Sequence, residues 1–284
     1  MIEFYILGDM GSGIKSQYDV IDGLLDDGIN SKNTFICGLG DNIYENGCYS
    51  LHDNQFLTKF EKPYEKISDS IKFYMCLGNH DYGYENTNNS IYQIQYGIES
   101  QKRNKKWYMP HNYYQFHKKK GNISIDFFVM DTNIDLLSND KIQKQFNDLK
   151  KWIHSSNADW KIVIGHHTWR SVAGHGNAEL NLENYLTNLF IESPFDVYMC
   201  GHDHTKQVID LSIKNKKVHL IVCGTGGKVY HDGPNNYHNL DIYSDLLFSS
   251  TNLGFGNCQV TKKKLKFTFK NEKNQLEYIY NLTK

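Results

Sequence analysis

Short apolar runs, each closed by a polar turn, recur along the chain and set its rhythm. Residues 2–7 read as a strand that ends in Gly8-Asp9-Met10-Gly11-Ser12-Gly13. A helix follows over 15–27, with Tyr18, Ile21, Leu24 and Leu25 on one face, until Gly28 and Asn30 stop it. The strand at 34–39 closes on Gly40-Asp41-Asn42-Ile43-Tyr44. A helical stretch at 52–62 ends at Pro63, and the strand at 71–77 leads into Gly78-Asn79-His80-Asp81. Repetition of strand, turn, helix and strand calls for parallel strands with right-handed crossovers, so these three turns open on one edge.

Residues 82–112, rich in Asn, Tyr and Gln, read as a loop with a short helix at 90–97. Segments 113–116 and 123–130 read as an antiparallel pair leading to Asp131-Thr132. A helix at 140–154 carries Ile142, Phe146, Leu149 and Ile153 in register. Strand 161–164 then reaches Gly165-His166-His167. A helix at 179–191 precedes 197–200 and Gly201-His202-Asp203-His204. Strands at 207–212, 217–223, 257–261, 264–270 and 276–281 are expected to complete a largely antiparallel second sheet. Neither a repeat nor a linker divides the chain, so residues 1–284 are expected to form one domain.

Composition narrows the field. With 284 residues, 39% of them hydrophobic and 14% aromatic, the chain has enough material for a large core. A balance of 31 basic against 32 acidic residues gives no general nucleic-acid surface. Lys118-Lys119-Lys120 and Lys262-Lys263-Lys264 flank hairpins and read as solvated edges. No apolar run reaches the length of a membrane span, and Met1-Ile2-Glu3 lacks the layout of a signal peptide. Cys37, Cys76, Cys200 and Cys223 lie in strand-like stretches as buried thiols, with Cys48 and Cys258 less clearly placed. The expected location is intracellular and cytoplasmic; the alternative is a secreted or lysosomal protein whose leader has been removed. Three Asn-x-Ser/Thr sequons, at Asn88, Asn122 and Asn281, carry little weight in an Asn-rich chain.

The turns carry the candidate chemistry. Asp41 follows a buried strand and a glycine, a place where α/β sheets put functional groups, and its two oxygens can serve two cations. Tyr44 offers a phenol, a metal ligand only where a strongly acidic ion such as ferric iron lowers its pKa. Asp9, Asn79, His166, His202 and His204 occupy the other strand-terminal turns. His202 and His204 are two apart on an extended turn, so their side chains diverge toward adjacent ions. Seven such groups with one shared carboxylate suit two ions about 3.5–4 Å apart, a spacing used for in-line displacement at phosphorus.

The motifs GDMG, GDNIY, GNHD, VIGH and GHDH, in this order, resemble the five motifs of the metallophosphoesterase superfamily. Tyr44 makes the chain similar to purple acid phosphatases, particularly the small mammalian (tartrate-resistant) type. The likeness runs nearly end to end, through Lys106-Trp107-Tyr108-Met109-Pro110, Met130-Asp131-Thr132 and His175-Gly176. It implies an α/β fold, a four-layer αββα sandwich of two mixed sheets. It also implies a ferric ion on Asp9, Tyr44 and His204 and a divalent ion (Fe, Zn or Mn) on Asn79, His166 and His202, with Asp41 bridging. His80 then corresponds to a histidine that contacts phosphate or the leaving group, and His175 to the proton donor. Where the family often has a carboxylate before that second histidine, this chain has Gly174. The implied activity is acid phosphatase, cleaving phosphate monoesters by attack of a metal-bound hydroxide. The substrate would be a small phosphorylated molecule or a phosphoprotein, and the protein a monomer without nucleic-acid or membrane partners. The brief segment 133–140 stands where the mammalian type carries a protease-sensitive loop, so an open site is expected.

Two rivals remain at this stage: a phosphodiesterase or nuclease of the same superfamily, and a binding scaffold that shares the fold. Tyr44 and the lack of a basic track weigh against the nuclease, and the complete ligand set weighs against the scaffold. Gly224-Thr225-Gly226-Gly227-Lys228 lacks the spacing of a phosphate-binding P-loop and reads equally as a substrate-facing loop or a plain turn. His231 and His238 read as surface residues and His167 as a rim residue. Arg170 reads as either a phosphate contact or an ordinary ion pair. The tyrosines of 82–114 read as loop packing.

Overall fold

The computed structural model describes residues 1–83, 88–103, 105–228 and 240–284. Two seven-stranded sheets pack face to face with helices outside each. In chain order the first half runs β1 (Ile2–Leu7), α1 (Lys15–Asp26), β2 (Ile36–Gly38), α2 (Asn54–Phe56), β3 (Phe73–Met75), α3 (Asn79–Tyr82), α4 (Ser90–Lys102), β4 (Trp107–Tyr108), β5 (Tyr114–Lys120) and β6 (Ile123–Val129). The second half runs α5 (Asn139–Ser155), β7 (Trp160–Ile164), α6 (Leu180–Glu192), β8 (Val197–Cys200), β9 (Lys206–Ile213), β10 (Lys216–Cys223), β11 (Ser244–Ser250), β12 (Gly254–Val260), β13 (Lys264–Asn271) and β14 (Leu276–Thr283).

Period-two alternation builds the layers. On β1, Phe4 and Ile6 face the space between the sheets, while Tyr5 and Leu7 face α1. On β6, Phe127 and Val129 point into the same inter-sheet core, and Phe128 points to the α5 and α6 side. The joint is aromatic: Phe127 stacks on Phe116 at 4.5 Å between centroids and meets Phe4 edge-on at 5.3 Å.

The first sheet has the order β14-β13-β12-β1-β2-β3-β4, and β1 to β4 are parallel. The second has the order β11-β9-β10-β8-β7-β6-β5, with β6, β7, β8 and β10 parallel. This corrects the expected allocation of the C-terminal strands. Only β9, β10 and β11 join the second sheet, whereas β12, β13 and β14 form an antiparallel meander on β1 of the first. Alternation gives a strand's facing but not its neighbour, which is why the sequence pattern misassigned them. The helix expected at 52–62 is also modified: α2 passes into a π-helical turn, Leu57–Glu61. Helix α4 runs one turn beyond its expected end.

All six cysteines are free and buried, Cys48 and Cys258 included. Among the described residues no helix is long and apolar enough to cross a membrane. Phe56 and Tyr96 stack at 3.9 Å, so the tyrosine-rich segment does supply packing. His231, His238 and part of that segment lie outside the described residues.

Candidate metal centre

Parallel pairing places the carboxyl ends of β1, β2, β3, β7 and β8 on one edge, where the turns meet. The backbone itself knits them together: Asp9 N–H donates to the Gly40 carbonyl at 3.0 Å, Gly201 N–H to the His166 carbonyl at 3.0 Å, and Gly8 N–H to the Cys223 carbonyl at 2.9 Å. Asp9, Asp41 and His202 all adopt left-handed φ values of 56°, 51° and 70°. Each costs about 1–3 kcal/mol for a residue with a Cβ, so the surrounding fold must impose these conformations. Gly78 has a different reason: a Cβ there would lie 2.1 Å from Asp41 Oδ1.

Two triangles of donor atoms result. In the first, Tyr44 Oη donates to Asp9 Oδ1 at 3.0 Å and lies 3.1 Å from His204 Nε2, which is 3.3 Å from the same Asp9 oxygen. In the second, Asn79 Oδ1 is 3.0 Å from His166 Nε2 and 3.1 Å from His202 Nδ1, and those nitrogens are 3.3 Å apart. Asp41 stands between: its Oδ1 is 3.4 Å from His166 Nε2, and its charge helps raise the Tyr44 phenol. Donor atoms of Asp9, Asp41 and His166, drawn from both triangles, lie within 4.8 Å of one another.

The chemistry of this donor set fits cations. The Leu39 carbonyl can only accept, so His166 donates to it from Nδ1 at 2.8 Å. Its Nε2 then faces the Asn79 and Asp41 oxygens, three acceptor atoms that are brought into register by a proton or a cation among them. Burial, with Asp41 and Asp9 close by, pushes the Tyr44 phenol well above its ordinary pKa. Only a nearby positive charge would make it a phenolate. Burial likewise raises Asp9 and lowers His202. His204 falls to about 4, chiefly through burial, with Asp41 opposing and Lys228 adding to the shift. The mix of imidazole, carboxylate, amide and phenol oxygen matches first-row transition ions.

Two carboxylates that sequence reasoning passed over hold this framework. Buried Asp81 accepts from Gly78 N–H at 2.8 Å, Asn42 N–H at 2.9 Å, Ile43 N–H at 3.1 Å and Gln93 Nε2 at 2.7 Å, which locks the second and third motifs together. Burial and neighbouring Asp41 raise its carboxyl above the usual range. Asp203 accepts from the backbone N–H of His175 at 2.8 Å and of Gly176 at 3.2 Å, which shapes that loop. Their signal was available: each motif contains a carboxylate beyond its ligands, GNHD at Asp81 and GHDH at Asp203.

The remaining candidates sit around this centre. The His80 ring packs 4.6 Å from that of Tyr44, its Nδ1 is 2.6 Å from the Glu45 carbonyl, and its backbone N–H donates to Asp41 Oδ1 at 3.0 Å. His175 stacks on His202 at 4.1 Å, and burial lowers its pKa against the opposing charge of Asp203. His167 bonds Thr132 Oγ1 at 2.7 Å and faces a cleft of about 340 Å³ shared with Asn79, His175 and His202. Arg170 is not aimed at this site: it pairs with Glu183 at 2.5 Å and Asp241 at 3.3 Å, the ordinary ion pair of the two readings. The Gly224–Lys228 loop rests on the first motif, with Lys228 N–H donating to the Asp9 carbonyl at 3.1 Å.

Known proteins resemble this chain in sequence and in fold. The chain is 28% identical to purple acid phosphatase 4 of Arabidopsis thaliana, over 94% of this chain and 79% of that one. It is 27% identical to tartrate-resistant acid phosphatase type 5 of Oryctolagus cuniculus, over 83% and 74% respectively. Among solved structures, GAP50, described as the anchor in the inner membrane complex of Plasmodium, superposes with a TM-score of 0.83 at 25% identity. That match covers 99% of this chain and 88% of GAP50. The purple acid phosphatase PPD1 of yellow lupin has the same fold, with a TM-score of 0.73 at 16% identity over 99% of this chain and 53% of that one. The calcineurin-like phosphoesterase model matches residues 2–206, well over half of the sequence, and the chain belongs to that family.

Proposed function

We propose that the protein is a phosphomonoesterase of purple acid phosphatase type working at a pair of cations. Asp9, Tyr44 and His204 would hold ferric iron. Asn79, His166 and His202 would hold a divalent ion (iron, zinc or manganese), and Asp41 would be shared. The observation that carries this reading is the pair of donor triangles joined at Asp41, built from five turns distant in sequence. When bound, such a pair supplies Lewis acidity and an activated water for displacement at phosphorus.

The chain's own groups do the rest. The backbone N–H of His80 donates to Asp41 Oδ1, and the Leu39 carbonyl fixes the tautomer of His166, so the donor atoms are oriented in advance. The His80 ring stands on the Tyr44 side of the centre, where it would stabilise charge on the phosphoryl oxygens. His175 stands beside His202 and faces the cleft, where it would give a proton to the departing alkoxide. Gly174 has no side chain to pair with that imidazole, and Asp203 instead holds the backbone of His175. The proposed substrates are small phosphate monoesters or phosphoproteins, taken by a monomer of one domain.

Hydrolysis of a phosphate monoester and of the matching diester by iron-loaded protein tests the reading. Preferential monoester turnover supports it. Equal or greater diester turnover points to the phosphodiesterase class instead. The likeness to GAP50 supports a second reading, an anchoring role on the same fold. Stoichiometric metals with no turnover of either ester would favour that role.

A further inference from the structure

We propose that Lys228 is a phosphate-binding residue on the Tyr44 side of the centre, with Glu45 holding its ammonium in place until a phosphate dianion arrives. This rests on the phosphomonoesterase reading and specifies how such a site would favour monoesters over diesters.

Lys228 is anchored from behind. Its backbone N–H donates to the Asp9 carbonyl at 3.1 Å, and Gly226 N–H donates to the Gly8 carbonyl at 2.9 Å. The two preceding glycines lie so close to the first motif that a Cβ on Gly226 would stand 2.6 Å from the Gly8 carbonyl oxygen, and one on Gly227 2.8 Å from that of Met10. The root of the side chain is therefore fixed to the turn that carries Asp9. Its tip is not fixed in the same way. The ammonium lies 4.6 Å from the centre of the Tyr44 ring and pairs with Glu45 Oε1 at 2.5 Å. The side chains of Lys228 and Glu45 are 29% and 53% exposed, so this is a rim contact that adds little to stability.

Glu45 also touches His80, the other phosphate-contact candidate on this rim: its carbonyl oxygen is 2.6 Å and its Oε2 3.7 Å from His80 Nδ1. One carboxylate thus sits against an ammonium over the Tyr44 ring and an imidazole tilted against it. A flexible lysine stem lets the ammonium turn from Glu45 to an arriving anion without moving its anchored backbone. A monoester dianion competes with Glu45 for that charge far better than a diester monoanion, because the attraction scales with the charge brought in.

The test uses full-length, metal-loaded protein, with metal content measured for every variant. Inorganic phosphate is titrated by calorimetry, and kcat and KM are measured for a monoester and the corresponding methyl diester. Lys228→Met is expected to weaken phosphate roughly tenfold and raise the monoester KM by a similar factor, with kcat and diester kinetics little changed. Lys228→Arg is expected to restore phosphate affinity, and Glu45→Gln to tighten it. Phosphate affinity in Lys228→Met within twofold of the parent, at equal metal content, would overturn the proposal. So would equal losses for monoester and diester. If the parent binds metals and phosphate but hydrolyses neither ester, the phosphatase reading fails, while the phosphate titration still decides the role of Lys228.

Discussion

Asp41 is the point through which both donor triangles communicate, since its carboxylate faces His166 Nε2 at 3.4 Å and its charge acts on the Tyr44 phenol. Asp41→Asn replaces one oxygen with an amide nitrogen that has no lone pair to offer a metal. Loss of both ions and of at least 99% of turnover is expected, read by elemental analysis and a monoester assay. Tyr44 makes a separate prediction. Iron-loaded protein should show a visible charge-transfer band from tyrosinate to ferric iron, and Tyr44→Phe should abolish it while leaving the fold intact. Asp81 is a third case. Asp81→Ala strands the buried N–H groups of Gly78, Asn42 and Ile43, each costing about 1–3 kcal/mol when unsatisfied. A drop of several kcal/mol in unfolding free energy is expected from urea titration. A change below 1 kcal/mol would show that Asp81 is not the clasp described above.

At the level of elements, the turns depend on close approach as much as on their ligands. Gly78 leaves no room for a methyl group beside Asp41 Oδ1, so Gly78→Ala should lower metal content well below that of the parent even where circular dichroism shows retained secondary structure. In the core, Phe127→Ala removes the ring that stacks on Phe116 and meets Phe4 across the inter-sheet space, at a cost of about 3–5 kcal/mol. Much of this level was legible beforehand. The runs at 2–7 and 197–200 are almost wholly apolar, and each one leads to a ligand-bearing turn. What escaped were elements too short or too irregular to show a period: β4 is only Trp107 and Tyr108, and β11 (Ser244–Ser250) sets Leu246-Leu247-Phe248 between polar ends without alternation. Helix α3 was hidden because it begins within the motif that carries Asn79 and His80. The allocation of β12, β13 and β14 depended on backbone partners, which alternation does not encode. Similarly, Asp81 and Asp203 were visible as residue types, but their role rests on the amides that surround them.

For the whole molecule, the two sheets are also tied together at the ends of the strands away from the turns. Tyr280 on β14 donates to Asp210 Oδ1 on β9 at 2.6 Å, and His219 Nδ1 on β10 is 2.6 Å from the same oxygen. Burial alone would raise the Asp210 carboxyl, but hydrogen bonds from His219, Tyr280 and Lys217 outweigh it and hold the pKa at about 2. A depressed carboxyl favours the folded state above its unfolded pKa, about 3.9, and loses that contribution as pH falls through about 2. The stability difference between the parent and Asp210→Asn should therefore be full near pH 6 and shrink below pH 4, as followed by denaturant unfolding across that range. A difference independent of pH would contradict the assignment.

The ring of turns matters most at this scale, because it is assembled from both sheets at once. Its most direct test is the number of metal ions that the purified, iron-supplemented full-length protein retains after dialysis, measured by elemental analysis against protein concentration. The account predicts two ions per chain, at least one of them iron. One ion or none, in protein that is folded by circular dichroism, would contradict it.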